Sequence, residues 1–153
     1  MTVYEAASAY LPHKPPMMLI DKVCEVNQDS VLCESYVCPD GVLAPFLDQY
    51  GNLPGWFALE LMAQAIGIWS GWHGRVQGSE PKLGMLLGTR ALKCGMARFP
   101  SCSLLQIYAS RILQDERLGS FECVIHIQEQ PVVTARLNVY QPGDDELEQV
   151  FAV

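Results

Sequence analysis

The segment LPGWFALELMAQAIGIWSG, residues 53–71, decides the fold of this chain. Its apolar residues would occupy every face of a helix. Pro54-Gly55 lies at the start of this helix, and the first helical turn is a position that favours proline. The pattern predicts an α-helix over residues 56–73. A helix that is apolar all round must be covered on most sides by the rest of the protein. One carboxylate, Glu60, interrupts this apolar surface, and no other charged residue follows before Arg75.

Strand patterns lie on both sides of this helix. MMLIDKVCEVNQDSVLCESYV, residues 17–37, predicts two strands with a turn at residues 27–30. MLLGTRALKCGM (85–96), SLLQIYASRILQ (103–114) and GSFECVIHIQEQPVVTARLNVYQ (119–141) follow the helix, and the last predicts a hairpin turning at residues 129–131. Residues 2–10 predict a short helix. LPHKPP (11–16) predicts an irregular segment, because its prolines remove backbone hydrogen-bond donors. An antiparallel sheet that curls around the helix is the economical α+β arrangement, in one domain over residues 1–153.

Composition narrows the range of functions. The chain has 153 residues and a net charge of −7, which argues against a nucleic-acid-binding protein. Its start lacks the basic and apolar regions of a secretory signal, and Glu60 and Gln64 argue against a membrane span. The six cysteines form no CxxC pair and no zinc-ligand spacing. Reduced thiols in a cytoplasmic protein are therefore expected, with no metal and no redox cofactor.

A lone acid early in an apolar helix has two interpretations. The free N–H groups at a helix start can hold an anionic oxygen, and Gly55 allows a close approach to the backbone. Burial of Glu60 beside Phe57 and Met62 would favour its protonated form, so that it could act as a proton donor. Together these groups suit chemistry at an acyl carbonyl. Alternatively, Glu60 pairs with a buried arginine or with backbone donors, or stands there because the helix dipole favours it.

Two segments resemble one enzyme family. LPHKPPMMLIDKV, residues 11–23, is similar to the N-terminal signature of the β-hydroxyacyl-acyl carrier protein dehydratases, and LPGWFALELMAQAIG, residues 53–67, to their helix signature. The Pro-Gly-Trp form of the helix motif resembles the dehydratase-like proteins of bacterial aryl-polyene clusters. The resemblance implies a hot-dog fold, in which a curved antiparallel sheet wraps one long helix, with active sites at a dimer interface. It also implies removal of water from a 3-hydroxyacyl thioester on acyl carrier protein, without a resident cofactor.

The resemblance assigns roles to several residues. Glu60 takes the place of the catalytic acid, and Gly55 that of the glycine whose N–H binds the thioester carbonyl. Gln64 matches a glutamine of the helix motif and is a candidate for substrate binding. The family's catalytic histidine lies in a His-Phe-Pro motif before Pro-Gly, but an ungapped alignment places Phe46 there. His13, held between prolines, is therefore the candidate base.

Three explanations of the missing loop histidine stay open. His13 has taken over its role, since His73 could reach Glu60 only across a dimer interface and His126 fits a strand face. The chain could instead be a hot-dog thioesterase, in which Asp48, Tyr50 or Glu60 contributes to the activation of water. It could also be a weak or inactive subunit that completes an active paralogue. A homodimer or higher oligomer and a heterodimer with such a paralogue are both compatible with the sequence.

Basic residues are concentrated after the helix. Arg75, Lys82, Arg90, Lys93 and Arg98 stand against Glu80 alone between residues 75 and 98. Such a patch would steer an acidic carrier protein, and Arg90, Lys93 and Arg98 are the candidate contacts. Solvated side chains on two separate faces are the alternative.

An acyl chain also needs an apolar slot. The candidates for its lining, unless they simply belong to the core, are Met17, Met18, Met62, Met85, Trp56 and Phe57.

Overall fold

The computed structural model describes residues 3–11, 17–78, 85–115 and 117–140. The strands are β1 (Lys22–Val26), β2 (Ser30–Tyr36), β3 (Leu53–Pro54), β4 (Met85–Cys94), β5 (Arg98–Phe99), β6 (Leu104–Gln114), β7 (Leu118–Ile127) and β8 (Gln130–Tyr140). The long helix α1 spans Phe57–Val76, and two 3₁₀ turns span Ala7–Ala9 and Ala44–Phe46.

One six-stranded antiparallel sheet carries the fold. Its strand order is β1-β2-β6-β7-β8-β4, and β3 and β5 form a separate two-stranded sheet. Alternate residues of the central strands point towards α1 and are buried, whereas their neighbours face outward. The inward-facing set includes Val31, Cys33, Leu105, Ile107, Phe121, Cys123, Ile125, Val133 and Leu137. The predicted α+β hot-dog arrangement is therefore confirmed.

The helix meets this sheet along one face. Leu61, Met62, Ala65 and Ile68 are completely buried, because they project into the concave side of the sheet. The helix runs to Val76, three residues beyond its predicted end. Among the residues described, no helix combines the length and the hydropathy needed to cross a bilayer.

The N-terminal segment folds differently from its prediction. The sequence predicts a helix over residues 2–10, but among residues 3–10 only Ala7–Ala9 form a 3₁₀ turn. One tertiary and one local contact hold this segment instead: Glu5 pairs with Arg75 of α1, and within the segment the Tyr10 hydroxyl accepts a hydrogen bond from the Glu5 N–H at 3.0 Å. The sequence also predicts an irregular segment at LPHKPP, but residues 12–16 of this segment lie outside the described residues.

The predicted turns are nearly correct. The Asn27 N–H donates to the Ser30 carbonyl at 2.8 Å, which closes the expected turn between β1 and β2. The β7–β8 turn is centred on Gln128 and Glu129, both with positive φ, rather than on residues 129–131. Pro131 pairs with His126 within the ladder, so the proline opens β8 and does not form the turn.

Candidate active site

The small β3–β5 sheet positions the start of α1. Leu53 pairs with Phe99 and Pro54 with Arg98, and the Gly55 N–H continues this pairing by donating to the Ala97 carbonyl at 2.8 Å. A Cβ on residue 55 would lie 2.8 Å from the same oxygen. The close approach expected at Gly55 is therefore made by the protein's own backbone.

This pairing changes which amides are available. The expectation of a free Gly55 N–H is wrong for this conformation, because its hydrogen is already donated to Ala97. The Ala58 N–H donates to the Gly55 carbonyl at 3.0 Å. Within the described part of the chain, the amides of Trp56 and Phe57 have no acceptor. They are the free donors at this helix start within the described residues. The sequence predicts such donors there, but no residue type shows which amides they are, since every residue except proline carries an N–H.

Glu60 lies in the first turn of α1 and is exposed. The expected burial of this carboxylate is wrong for the single chain, because its side of the helix faces away from the sheet. Among the described residues it makes no ion pair and no hydrogen bond, so the arginine or backbone partner considered from the sequence is not found there. As far as the described residues go, the carboxylate is therefore unpaired, and it lies one residue after the half-buried Leu59.

Gln64 follows Glu60 by one turn and is only 2% exposed. Its Oε1 accepts a hydrogen bond from the Leu19 N–H at 2.9 Å, and its Nε2 donates to the Met17 carbonyl at 2.6 Å. Both ends of the amide are thus engaged by backbone, and the side chain is almost completely buried. The structure gives Gln64 a positioning role, which is to fix the residues that directly follow the proline-rich segment.

His13 lies outside the described residues, but both flanks of its segment are attached to α1. Leu11 packs against Gly67, where a Cβ would come within 2.7 Å of the Leu11 Cδ2 atom. Met17 is held by Gln64. Gln64 and Gly67 follow Glu60 at spacings of four and seven residues, and therefore share its helix face.

The two described histidines are placed away from the helix start. His73 Nε2 lies 2.8 Å from the Asn27 carbonyl, near the other end of α1 and about 20 Å from Glu60 along the helix axis. His126 lies on β7, where its ring packs edge-on against Tyr108 at 5.2 Å. The strand-face position predicted for His126 is confirmed.

Phe46 occupies the aligned position of the family's loop histidine. Its ring centroid lies 5.1 Å from that of Phe57, and the Phe57 ring lies 6.1 Å from that of Trp56 at an interplanar angle of 30°. We call Phe46, Phe57 and Trp56 the aromatic ladder. An apolar ring packed on the helix therefore stands where a polar base was expected.

A groove of about 500 Å³ opens beside the ladder, between the start of α1 and the end of β4. We call it the helix-start groove. The described residues of its lining include no charged side chain; they are Gly55, Trp56, Ala58, Leu59, Leu92, Cys94, Gly95, Met96 and Ala97. Among the predicted slot residues whose side chains the structure describes, Trp56 alone lines it. Met62 is completely buried in the core, and Met17 and Phe57 lie elsewhere.

The three predicted carrier contacts do not share one surface. Arg90 and Lys93 line a second groove of about 660 Å³ on the outer face of the sheet, together with Arg136, which lies 2.9 Å from Glu122. Arg98 lies on β5, with its Nε 3.9 Å from the Asp48 carboxylate. The expectation of one patch containing all three is therefore wrong, because the chain leaves β4 before it reaches Arg98.

Asp48 and Tyr50, the other candidates for activation of water, do not line the helix-start groove. The Asp48 Oδ1 accepts hydrogen bonds from the amides of Tyr50 at 2.8 Å and Asn52 at 3.0 Å, which orders the loop before β3. The Tyr50 side chain is 70% exposed and does not line the helix-start groove. Over the described ranges, no three His, Cys, Asp or Glu side chains lie close enough to bind one metal ion.

Two proteins similar to this chain are dehydratases. A solved chain in the dehydratase heterocomplex ApeI:P from Xenorhabdus doucetiae is 49% identical, with a TM-score of 0.92 over 97% of this chain and 98% of that one. The 3-hydroxyacyl-[acyl-carrier-protein] dehydratase FabZ of Psychrobacter arcticus is 22% identical over 145 residues, which are 89% of this chain and 94% of the relative.

A more distant solved structure shares the fold alone. It is the phenylacetic acid degradation protein PaaI from Thermus thermophilus, which is 16% identical with a TM-score of 0.58, over 79% of this chain and 92% of that one. The family model of the ApeP-like dehydratases, described as ApeP dehydratase, matches residues 5–152. These matches confirm the predicted dehydratase function and its aryl-polyene subgroup, and the chain belongs to the ApeP-like dehydratase family.

Proposed function

We propose that this chain supplies the acid for dehydration of a 3-hydroxyacyl thioester on acyl carrier protein, in a site completed by a paralogous dehydratase subunit. The observation that carries the proposal is the exposed Glu60 at the start of α1, which has no ion-pair or hydrogen-bond partner among the described residues and directly follows Leu59 of the helix-start groove. A carboxylate that must donate a proton works best when solvent is excluded, and this chain alone does not exclude it. The similarity to a chain of the ApeI:P heterocomplex supports a paralogous partner.

The proposed reaction is an elimination. A base takes the proton from C2, Glu60 gives a proton to the C3 hydroxyl, and water leaves as the C2–C3 double bond forms. Negative charge develops on the thioester oxygen during this step. The free amides of Trp56 and Phe57 lie at the positive end of the helix dipole and can stabilise that oxygen, in place of the Gly55 amide.

His13 is the proposed base. It follows Leu11 by two residues and precedes Met17 by four, and both of these neighbours are attached to the helix face that carries Glu60. These contacts of its two described neighbours support the choice of His13. A base from the partner subunit is the alternative, and substitution of His13 distinguishes the two.

Strand β4 supports the proposed assembly. It is an edge of the six-stranded sheet and ten residues long, with Leu87 60% and Leu92 47% exposed. A long edge strand with exposed leucines is a ready surface for pairing with another subunit. Leu92 also lines the helix-start groove, so a subunit at this edge would cover the proposed site.

Arg90 and Lys93 are the proposed carrier-protein contacts, with Arg136 added and Arg98 moved to a separate surface. Their groove lies on the opposite side of β4 from the helix-start groove. Positive charge there would orient an acidic carrier, which delivers the substrate on its own phosphopantetheine, so no resident cofactor is needed.

All six cysteines are free thiols, which supports the proposed cytoplasmic setting.

The test is a dehydration assay on the reconstituted complex of this chain with a paralogous dehydratase. Mass spectrometry of carrier-bound intermediates would follow loss of water. We expect Glu60→Gln to lower the rate at least about 100-fold, since that is the usual contribution of a general acid. Glu25→Gln, at an exposed acid on β1, is the matched control and should keep full activity.

The other arms separate the remaining alternatives. Full activity in Glu60→Gln would overturn the proposal, and release of free carrier thiol instead of an enoyl product would indicate a thioesterase. Loss of activity in His13→Ala supports His13 as base, whereas full activity there assigns the base to the partner subunit. Arg90→Glu with Lys93→Glu should raise the KM for carrier-bound substrate alone, and not for the same acyl group on free pantetheine.

A further inference from the structure

The helix-start groove contains an unusual exposed side chain. Trp56 is 74% exposed, although a tryptophan normally buries most of its large ring. It lines a groove whose described residues are all uncharged, at the start of the helix that carries Glu60. An exposed indole in such a place is a ready contact for an apolar ligand.

The aromatic ladder fixes the orientation of this indole. The Phe57 ring lies nearly parallel to it, 6.1 Å away, and Phe46 packs against Phe57 at 5.1 Å. Phe57 therefore supports Trp56 from within the protein, and Phe46 supports Phe57. The remainder of the indole stays open to a ligand, in an orientation that the ladder has already set.

The rest of the lining suits a π system. Cys94 and Met96 contribute two sulfur-bearing side chains to the groove, and the Cys94 Sγ donates to the Met96 carbonyl at 3.0 Å. Sulfur atoms make favourable contacts at the edges of π systems. A planar ligand could therefore stack on Trp56 and meet sulfur on another side.

We propose that Trp56 is a specificity-determining residue that favours a flat, conjugated acyl chain over a saturated chain of equal length. The proposal rests on the proposed function, since it places the acyl chain of that reaction in the helix-start groove. Both kinds of chain gain from burial, but only the conjugated chain can stack on the indole face. It is also already rigid, and so loses less conformational freedom on binding.

The test measures binding, which does not depend on catalysis. The probes are two stable acyl-pantetheine analogues of equal carbon number, one saturated and one all-trans polyenoyl. They would be titrated calorimetrically into the reconstituted complex. We expect the wild-type complex to bind the polyenoyl probe more tightly, and Trp56→Leu to weaken that binding about two- to tenfold, the usual range for aromatic stacking. Affinity for the saturated probe should stay nearly unchanged.

Two further variants make the result specific. Trp56→Phe keeps a ring and should retain part of the preference, and it also serves if the leucine variant fails to assemble. Tyr50→Leu removes an aromatic ring that is 70% exposed but outside the groove, and should change neither affinity.

The outcomes separate this proposal from the proposed function. An equal loss for both probes in Trp56→Leu, or no preference in the wild type, would overturn the specificity role while dehydration by the wild type still stands. A retained preference without dehydration by the wild-type complex would overturn the proposed function instead.

Discussion

Glu60 and Gln64 lie one turn apart on α1, and their surroundings give them opposite roles. Gln64 is covered by residues 17–19 and satisfies the buried Leu19 N–H and the partly buried Met17 carbonyl. Glu60 lies beyond that cover and keeps its oxygens free of protein partners within the described residues. A buried amide with both ends engaged is a structural tie, whereas an exposed, unpaired carboxylate beside a groove is available for chemistry.

Replacing Gln64 by leucine tests the structural tie. The buried Leu19 N–H and the partly buried Met17 carbonyl would both lose their partner, so we expect the free energy of unfolding to fall by about 2–4 kcal/mol. Urea denaturation would measure the change. The control is Gln77→Leu, at an exposed residue after the end of α1, which should shift stability by less than about 0.5 kcal/mol. Similar small shifts in both variants would contradict the assigned role.

At the scale of elements, α1 organises the chain on both sides of the proline-rich segment. Tyr10 and Leu11 press on Gly71 and Gly67, and residues 17–19 are tied to Gln64 one turn further towards Glu60. The helix glycines are thus contact points for another stretch of backbone. Gln64, Gly67 and Gly71 follow one another at spacings of three and four residues, which keeps these contacts on one helix face.

Gly71→Ala tests this contact. An added Cβ would lie 1.9 Å from the Tyr10 carbonyl oxygen, so the N-terminal segment would have to move away from the helix. We expect a net loss of about 1–3 kcal/mol, as for overpacking, despite the better helix propensity of alanine. Chemical denaturation is the readout. Gly88→Ala on β4, where a Cβ would meet nothing within 4 Å, is the matched control and should be close to neutral.

At the scale of the whole molecule, the core contains two ionisable thiols. Cys33 and Cys123 point from the sheet towards α1, and burial raises the pKa of each thiol to about 12. In the unfolded chain the same thiols have their ordinary pKa of 9.0. Above that pH the unfolded state loses protons that the folded state retains, so the stability contributed by these thiols is complete below pH 9 and falls as the pH rises towards 12.

Urea denaturation between about pH 8 and pH 11 would reveal this effect. We expect the wild-type free energy of unfolding to fall above pH 9 by up to about 1.4 kcal/mol per pH unit for each buried thiol. The double variant Cys33→Ala with Cys123→Ala should start lower, because it leaves cavities, but should show a shallower slope. Cys94→Ala, at an exposed thiol, should keep the wild-type slope. Equal slopes in all three proteins would contradict the prediction.

Most of the fold followed from the residue pattern. The apolar helix, the alternating strands and the order in which they occur lead to a sheet around a helix, since each apolar face needs a cover. The two signature segments indicated the dehydratase family, and the second of them identified Glu60 as the candidate acid. Prediction failed in residues 3–10, where contacts of Glu5 and Tyr10 with distant residues replace a local helix.

The sequence by itself therefore determined the architecture, the family and the acid at the helix start, because these depend on local periodicity and on short motifs. Only the tertiary structure decided that the Gly55 amide is bonded to Ala97, that Gln64 is a tie, and that Arg98 is separate from Arg90 and Lys93. Each of these facts depends on residues far apart in the chain meeting in space. The local sequence pattern does not show which distant residues come into contact. The available amides, the aromatic ladder and the helix-start groove all depend on such contacts.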